Sequence, residues 1–134
     1  MHQTRSEVIT RIPIPRKGTK YVARPLSHLR DAVPTVVAVR DMLKLARTAK
    51  EVNEMIKEKL LKINNRTIKD LREPIKLFDI FEAGKNFVLT LSPKGKFIFE
   101  ENNSKERLCK VIKKTILKGN KTQINLHDGS NILT

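Results

Sequence analysis

The sequence contains no tryptophan, one tyrosine and one cysteine in 134 residues, and acidic side chains are half as numerous as basic ones. Because aromatic residues make up only 4% of the chain, a folded core must consist mainly of Ile, Leu and Val side chains. The lone cysteine, Cys109, excludes an internal disulfide, and the three histidines give no spacing typical of a zinc site. We therefore predict no metal and no cofactor, with Cys109 as a small buried hydrophobic side chain.

Long hydrophobic runs are also absent. The longest, Val36–Val39 and Phe87–Leu91, are far shorter than the roughly 20 residues that a bilayer-spanning helix needs. The first residues lack the apolar segment of a secretory signal, so we expect an intracellular protein that does not bind membranes. No Ser/His/Asp or Cys/His set, glycine-rich phosphate loop or carboxylate pair is recognisable, which predicts neither enzymatic activity nor a small-molecule substrate.

Positive charge, in contrast, is abundant, with 28 Lys and Arg, 14 Asp and Glu, and a net charge of +14. Residues 1–30 carry seven basic side chains and one acid, and residues 84–134 carry ten basic side chains and four acids. Residues 31–83 are nearly balanced. The excess therefore lies at both ends of the chain and predicts a polyanionic partner.

The N-terminal segment, residues 1–33, shows no apolar periodicity and is interrupted by Pro13, Pro15 and Gly18. This pattern predicts an extended arm. Its density of arginine indicates an arm that becomes ordered on phosphates, because neutralising them releases counterions. A solvated tail remains the alternative, and Tyr21 in this arm is equally compatible with stacking on a base and with no such role.

Residues 34–83 predict two helices and a short β unit. We expect Asp31 to cap the first helix, with Pro34 in its first turn. Apolar residues at three- and four-residue spacing predict its core face: Val36, Val39, Leu43 and Ala46.

The flank of that face carries Arg40, Lys44 and Arg47 at i, i+4 and i+7. A row of cations at this spacing can follow a phosphate backbone. It is equally typical of a solvated charged helix face, and spacing alone does not separate the two interpretations.

A capping box, in which the Thr48 hydroxyl and the Glu51 carboxylate bind backbone amides reciprocally, predicts the start of the second helix. Leu61–Ile63 then alternates as a strand, Asn64-Asn65 forms a turn that tolerates positive φ, and Thr67-Ile68 returns. The pattern of residues 34–83 therefore predicts an αα-hairpin followed by a small β unit.

Residues 84–134 predict a small antiparallel sheet, partly barrel-like. Phe87–Leu91 and residues 96–99 flank the turn at residues 92–95, and the phenylalanines are expected in the core. Further strands are predicted at residues 108–117, 122–126 and 131–133, with turns between them. Asp79 and His127 are expected to make local hydrogen bonds rather than to act in acid-base chemistry.

The element order, with Arg40 in the first helix and the strand-turn pattern Ile63–Ile68, resembles the S4-type RNA-binding domain, although Asn65 replaces its usual glycine. Several stretches resemble the S4e family of archaeal and eukaryotic small-subunit ribosomal proteins, in order along the chain: residues 16–20, 24–25, 77–80, 94–96, 108–111 and 123–131. Members of that family usually continue into a β-barrel half with a KOW motif, which these 134 residues do not include.

The resemblance implies an α+β protein with a basic arm at residues 1–33, an S4-like domain at residues 34–83 and an antiparallel β domain at residues 84–134. It implies an archaeal-type structural protein of the small subunit, located on cytoplasmic ribosomes, that binds rRNA by backbone and shape. Its partners would be rRNA and neighbouring ribosomal proteins, without homo-oligomerisation. The alternatives are a free S4-domain factor acting on tRNA or stalled large subunits, and a fragment of an RNA-modifying enzyme, for which no catalytic Asp is recognisable.

The predicted RNA-binding residues lie in the arm, on the first helix and around the second helix and the hairpin. They are Arg16, Lys17, Lys20, Tyr21, Arg24, Arg30, Arg40, Lys44, Arg47, Lys50, Lys57, Lys62 and Arg66.

Overall fold

The structure is a computed structural model that describes residues 2–134. It divides into two compact units, one ending at Ser104 and the other comprising Lys105–Thr134. Both units are mainly antiparallel β structure with two short helices in the first, so the coarse prediction of helices and antiparallel sheets is confirmed. The domain boundary expected at residue 84 falls inside the first unit, because the strands on either side of Gly84 pair with each other.

The strands are short and succeed one another with tight connections. In residues 2–134 they are β1 (His2–Thr4), β2 (Tyr21–Ala23), β3 (Ala32–Pro34), β4 (Leu61–Ile63), β5 (Arg66–Thr67), β6 (Pro74–Lys76), β7 (Ile80–Ala83), β8 (Lys85–Leu91), β9 (Phe97–Glu101), β10 (Val111–Leu117), β11 (Lys121–Leu126) and β12 (Asn131–Leu133).

The main sheet of the first unit has the strand order β5-β4-β7-β8-β9, with every neighbouring pair antiparallel. Its inward side chains include Leu61, Phe81, Leu89 and Phe97, each at most 1% exposed. The predicted hairpin of β8 and β9 and the core position of these phenylalanines are confirmed. Burying such side chains contributes about 2 kcal/mol each, and this apolar layer holds the unit together.

The N-terminal segment is folded, and the expected extended arm is wrong. β1 and β2 pair antiparallel, joined by a chain that begins with the 3₁₀ turn Arg5–Glu7. Ile12 is buried in the core, and the Phe97 amide donates a hydrogen bond to the Arg11 carbonyl at 2.7 Å. Ile12, just before Pro13, therefore packs against the core beside the start of β9, which gives this segment a fixed path.

The first helix differs from the prediction. Val33 lies in β3, which pairs with β6, because a residue that precedes proline is biased towards extended backbone. The helix α1 therefore begins at Thr35, with Pro34 rather than Asp31 at the N-cap position and no side-chain capping bond. It continues from Thr35–Val37 into a π-helical turn over Ala38–Met42. It ends where Lys44 takes a φ of +54°, so the sequence does not form the regular αα-hairpin expected of an S4-like domain.

The second helix, α2, spans Ala49–Lys57 and begins as predicted after Thr48. The Thr48 hydroxyl accepts a hydrogen bond from the Glu51 amide at 3.2 Å. The Glu51 carboxylate, however, binds the Arg47 amide at 2.9 Å, one residue earlier than in a closed capping box. Val52 and Ile56 face the core.

The second unit is the three-stranded antiparallel sheet β10-β11-β12, with a bulge between Val111 and Lys113. The turns predicted at Gly119-Asn120 and at Gly129 have positive φ. Cys109 is half-buried rather than buried. No helix in residues 2–134 combines the length and the apolar character needed to span a bilayer.

Candidate nucleic-acid interface

Three adjoining depressions on the first unit share Pro15 in their walls. We call them together the Pro15 groove. Within residues 2–134 it is lined by nine basic side chains and two acids. The basic residues are Arg5, Arg16, Lys17, Arg40, Lys44, Arg47, Lys69, Arg72 and Lys96.

Each of the two acids is paired with an arginine of the groove. Asp41 lies 3.1 Å from Arg40, and Asp70 lies 3.4 Å from Arg72. A hydrogen bond from the Arg72 amide also lowers the pKa of the Asp70 carboxyl, so this group is ionised at neutral pH. The acids therefore offset two of the nine cations and leave the groove strongly positive.

The wall formed by Arg40, Lys44 and Arg47 arises from the end of α1 and the turn after it. Arg40 lies in the π-helical turn, and Lys44 follows the helix in left-handed backbone. Arg47 is held by the bond from its amide to Glu51 at the start of α2. The three cations line one depression, but a turn brings them together rather than the single helix edge expected from the sequence.

Within residues 2–134, no group of three or more His, Cys, Asp and Glu side chains could hold a metal ion. The buried Asp79 carboxylate accepts a hydrogen bond from the Lys76 amide at 3.0 Å, a local bond as predicted. In the second unit, His127 Nδ1 accepts a hydrogen bond from the Lys110 amide at 3.1 Å. These bonds hold turns and strand ends in place.

Residues 83–134 match the sequence model of Ribosomal family S4e. The chain is 36% identical over 129 residues to small ribosomal subunit protein eS4 of Methanospirillum hungatei, covering 90% of this chain and 54% of that protein. It is 34% identical over 139 residues to the eS4 protein of Archaeoglobus fulgidus, covering 99% of this chain and 59% of that protein. The chain belongs to the ribosomal S4e family.

This S4e chain spans a little more than half the length of those two relatives. Its fold is similar to the crystal structure of the 30S ribosomal protein S4e from Thermoplasma acidophilum, with a TM-score of 0.64 and 24% sequence identity. That match covers 78% of this chain and 56% of the other. The family resemblance predicted from the sequence is therefore confirmed.

Six of the thirteen sequence-predicted residues line the Pro15 groove of this S4e chain. They are Arg16, Lys17, Tyr21, Arg40, Lys44 and Arg47. The Tyr21 side chain is 51% exposed, with the His2 ring 4.4 Å from its ring centroid and Lys20 Nζ 5.4 Å away. The Tyr21 ring therefore already contacts His2 and Lys20.

The other seven predicted residues are not among those that line the groove: Lys20, Arg24, Arg30, Lys50, Lys57, Lys62 and Arg66. Arg66 is tied to the buried Glu73 carboxylate at 3.2 Å, and Glu73 also accepts the Lys69 amide at 3.2 Å. Arg66 therefore balances a buried charge within the fold.

Sequence reasoning missed four cations of the groove: Arg5, Lys69, Arg72 and Lys96. Lys69 and Arg72 belong to the irregular segment between β5 and β6, which has no periodicity that would indicate a face. Lys96 reaches the groove by donating to the Thr10 carbonyl, a contact between residues far apart in the sequence. No local signal could have identified these residues.

Proposed function

We propose that this chain is a structural constituent of the small ribosomal subunit and that it binds rRNA without catalysing a reaction. Its location would be the cytoplasmic ribosome, with rRNA and neighbouring ribosomal proteins as partners. The proposal is supported by the names of the relatives, which are small ribosomal subunit proteins, and by the charge of the Pro15 groove.

The observation that carries the proposal is the clustering of nine cations around Pro15, with only two acids among the groove-lining residues of the described chain. A concave, positive surface attracts phosphates, because each neutralised phosphate releases condensed counterions. Arginine suits this role because its planar guanidinium can bind two phosphate oxygens at once. Recognition would rest mainly on shape and backbone, since the deep major groove of an RNA helix hides the base edges.

We assign the principal phosphate contacts to Arg16, Lys17, Arg40, Lys44 and Arg47, which the sequence predicts and which line the groove. Lys69 and Arg72 add charge to the wall shared with Tyr21. The predicted residues outside the groove would contribute only peripheral, strongly screened attraction.

The test is the salt dependence of binding to a small-subunit rRNA fragment. We expect log K to fall linearly with log salt, with a slope that corresponds to roughly 6 to 10 neutralised phosphates. Sedimentation of extracts should place the protein with small subunits. A flat salt dependence, or recovery with tRNA or large subunits, would contradict the proposal, and the second result would favour a free S4-domain factor.

A further inference from the structure

Arg5 directs its side chain at one short loop of the Pro15 groove. Its Nη1 donates to the Pro15 carbonyl at 2.6 Å, and its Nε donates to the Thr19 carbonyl at 2.8 Å. Its Nη2 donates to the Thr19 hydroxyl at 3.1 Å. The Arg5 backbone amide adds a bond to the Lys20 carbonyl at 2.9 Å. One residue thus binds both ends of residues 15–20.

Gly18 in the same loop leaves room for this guanidinium. A Cβ atom at Gly18 would lie 2.7 Å from Arg5 Nη2 and 2.9 Å from its Cζ, closer than side-chain carbons approach other atoms. Gly18 is not among the residues with positive φ, so its role here is to provide space rather than left-handed backbone. Two residues far apart in the sequence therefore fit one another.

The loop held in this way carries Arg16 and Lys17, two of the cations assigned to phosphate binding. Gly18 leaves such a loop open to several paths when it is not held, and fixing each residue costs about 1–2 kcal/mol of conformational entropy. A loop that is ordered before the ligand arrives avoids part of that cost on binding. Three of the five Arg5 N–H donors already serve the loop.

We propose that Arg5 is a positioning residue that orders residues 15–19 so that Arg16 and Lys17 meet phosphate at a lower ordering cost. This inference rests on the proposed function, because it concerns how the same groove binds RNA. It differs from the simpler role of Arg5 as one more phosphate contact, and the two roles predict different salt dependences.

Two variants separate these roles without removing charge. In Gly18→Ala the added methyl group displaces the guanidinium, because the flexible end of the Arg5 side chain moves more easily than the loop backbone. Arg5→Lys keeps the charge, but the lysine cannot make the three hydrogen bonds. For both we expect binding of a small-subunit rRNA fragment to weaken by roughly threefold to thirtyfold, with an unchanged slope of log K against log salt. The matched control, Arg16→Gln, should lower the slope by roughly 0.7 to 0.9.

Order in the loop is measured independently of RNA by amide order parameters of residues 16–20 in the full chain. We expect order parameters of about 0.8 in the wild type and below about 0.6 in Gly18→Ala and Arg5→Lys.

Unchanged order in both variants, or wild-type affinity in both, would overturn the positioning role. A reduced slope in Arg5→Gln together with normal binding by Gly18→Ala would make Arg5 a phosphate contact instead. Absence of salt-dependent binding in the wild type would overturn the proposed function, whereas the order parameters test the loop by themselves.

Discussion

Asn64 and Ile80 exchange two hydrogen bonds although Asn64 lies in a turn. The Asn64 amide donates to the Ile80 carbonyl at 2.8 Å, and the Ile80 amide donates to Asn64 Oδ1 at 2.9 Å. In a regular antiparallel pair the second acceptor would be a backbone carbonyl. Here the side-chain oxygen takes that place while the backbone turns at a φ of +51°, so the pairing of β4 and β7 extends by one residue.

This relationship predicts that the two asparagines of the turn respond differently to glycine. Asn64→Gly keeps the backbone freedom but removes the acceptor of the Ile80 amide, so we expect a loss of about 1 kcal/mol in the free energy of unfolding. Asn65→Gly, at a φ of +67°, should stay within about 0.5 kcal/mol of the wild type. Urea unfolding followed by circular dichroism measures both, and equal losses would contradict this role of Asn64.

The cap of α2 gives a second prediction. Thr48→Ala removes the acceptor of the Glu51 amide and should cost about 1 kcal/mol in the free energy of unfolding, whereas Thr48→Ser should retain most of the stability. The same urea unfolding series applies. A serine variant as unstable as the alanine variant would show that the methyl group, rather than the hydroxyl, matters at this position.

Local sequence signals predicted the strands and turns that depend on neighbouring residues. The strand Leu61–Ile63 and the strand Asn131–Leu133 occur with the predicted bounds, because turn residues mark their ends. Arg40, Lys44 and Arg47 line one depression because they are close in sequence, but the turn that brings them together was not predicted.

The path of the N-terminal segment was not predictable, because it depends on contacts with residues far along the chain. Arg11 binds the amide of Phe97, and Ile12 is buried only because the main sheet provides a surface for it. The shortened first helix has a similar cause. Pro34 favours extended backbone at Val33, and the pairing of β3 with β6 overrides the helical period that follows.

The second unit should lose stability in acid through Asp128. Burial alone would raise the pKa of this carboxyl, but the hydrogen bond from the Ser130 amide and the ion pair with Arg107 outweigh burial and lower the pKa from 3.8 to about 2. Because the folded state binds the proton more weakly than the unfolded state, the contribution is complete above pH 3.8 and is lost towards pH 2. It amounts to roughly 2 kcal/mol at neutral pH.

Asp128→Asn should therefore be less stable than the wild type at pH 7, and the difference should shrink steadily below pH 4. Amide signals of β11, followed by NMR during urea unfolding at a series of pH values, report on this unit alone. Arg107→Gln is the matched variant, because it removes the ion pair and keeps the Ser130 bond, and it should fall between the other two proteins. Parallel stability curves for the wild type and Asp128→Asn would exclude this origin of the acid sensitivity.

Charge removal inside and outside the Pro15 groove gives the last prediction. Lys44 and Arg47 are exposed and line the groove, whereas Lys57 is an exposed cation in the last turn of α2 that does not line it. Lys44→Gln and Arg47→Gln should each weaken binding to a small-subunit rRNA fragment and lower the slope of log K against log salt by roughly 0.7 to 0.9, because each removes one phosphate contact. Lys57→Gln removes the same charge and should leave the slope unchanged, with only a small loss of affinity at low salt from the weaker overall field. An equal slope change in all three variants would mean that RNA follows α2 beyond the groove, as the sequence alone suggested, and that the groove has no special role.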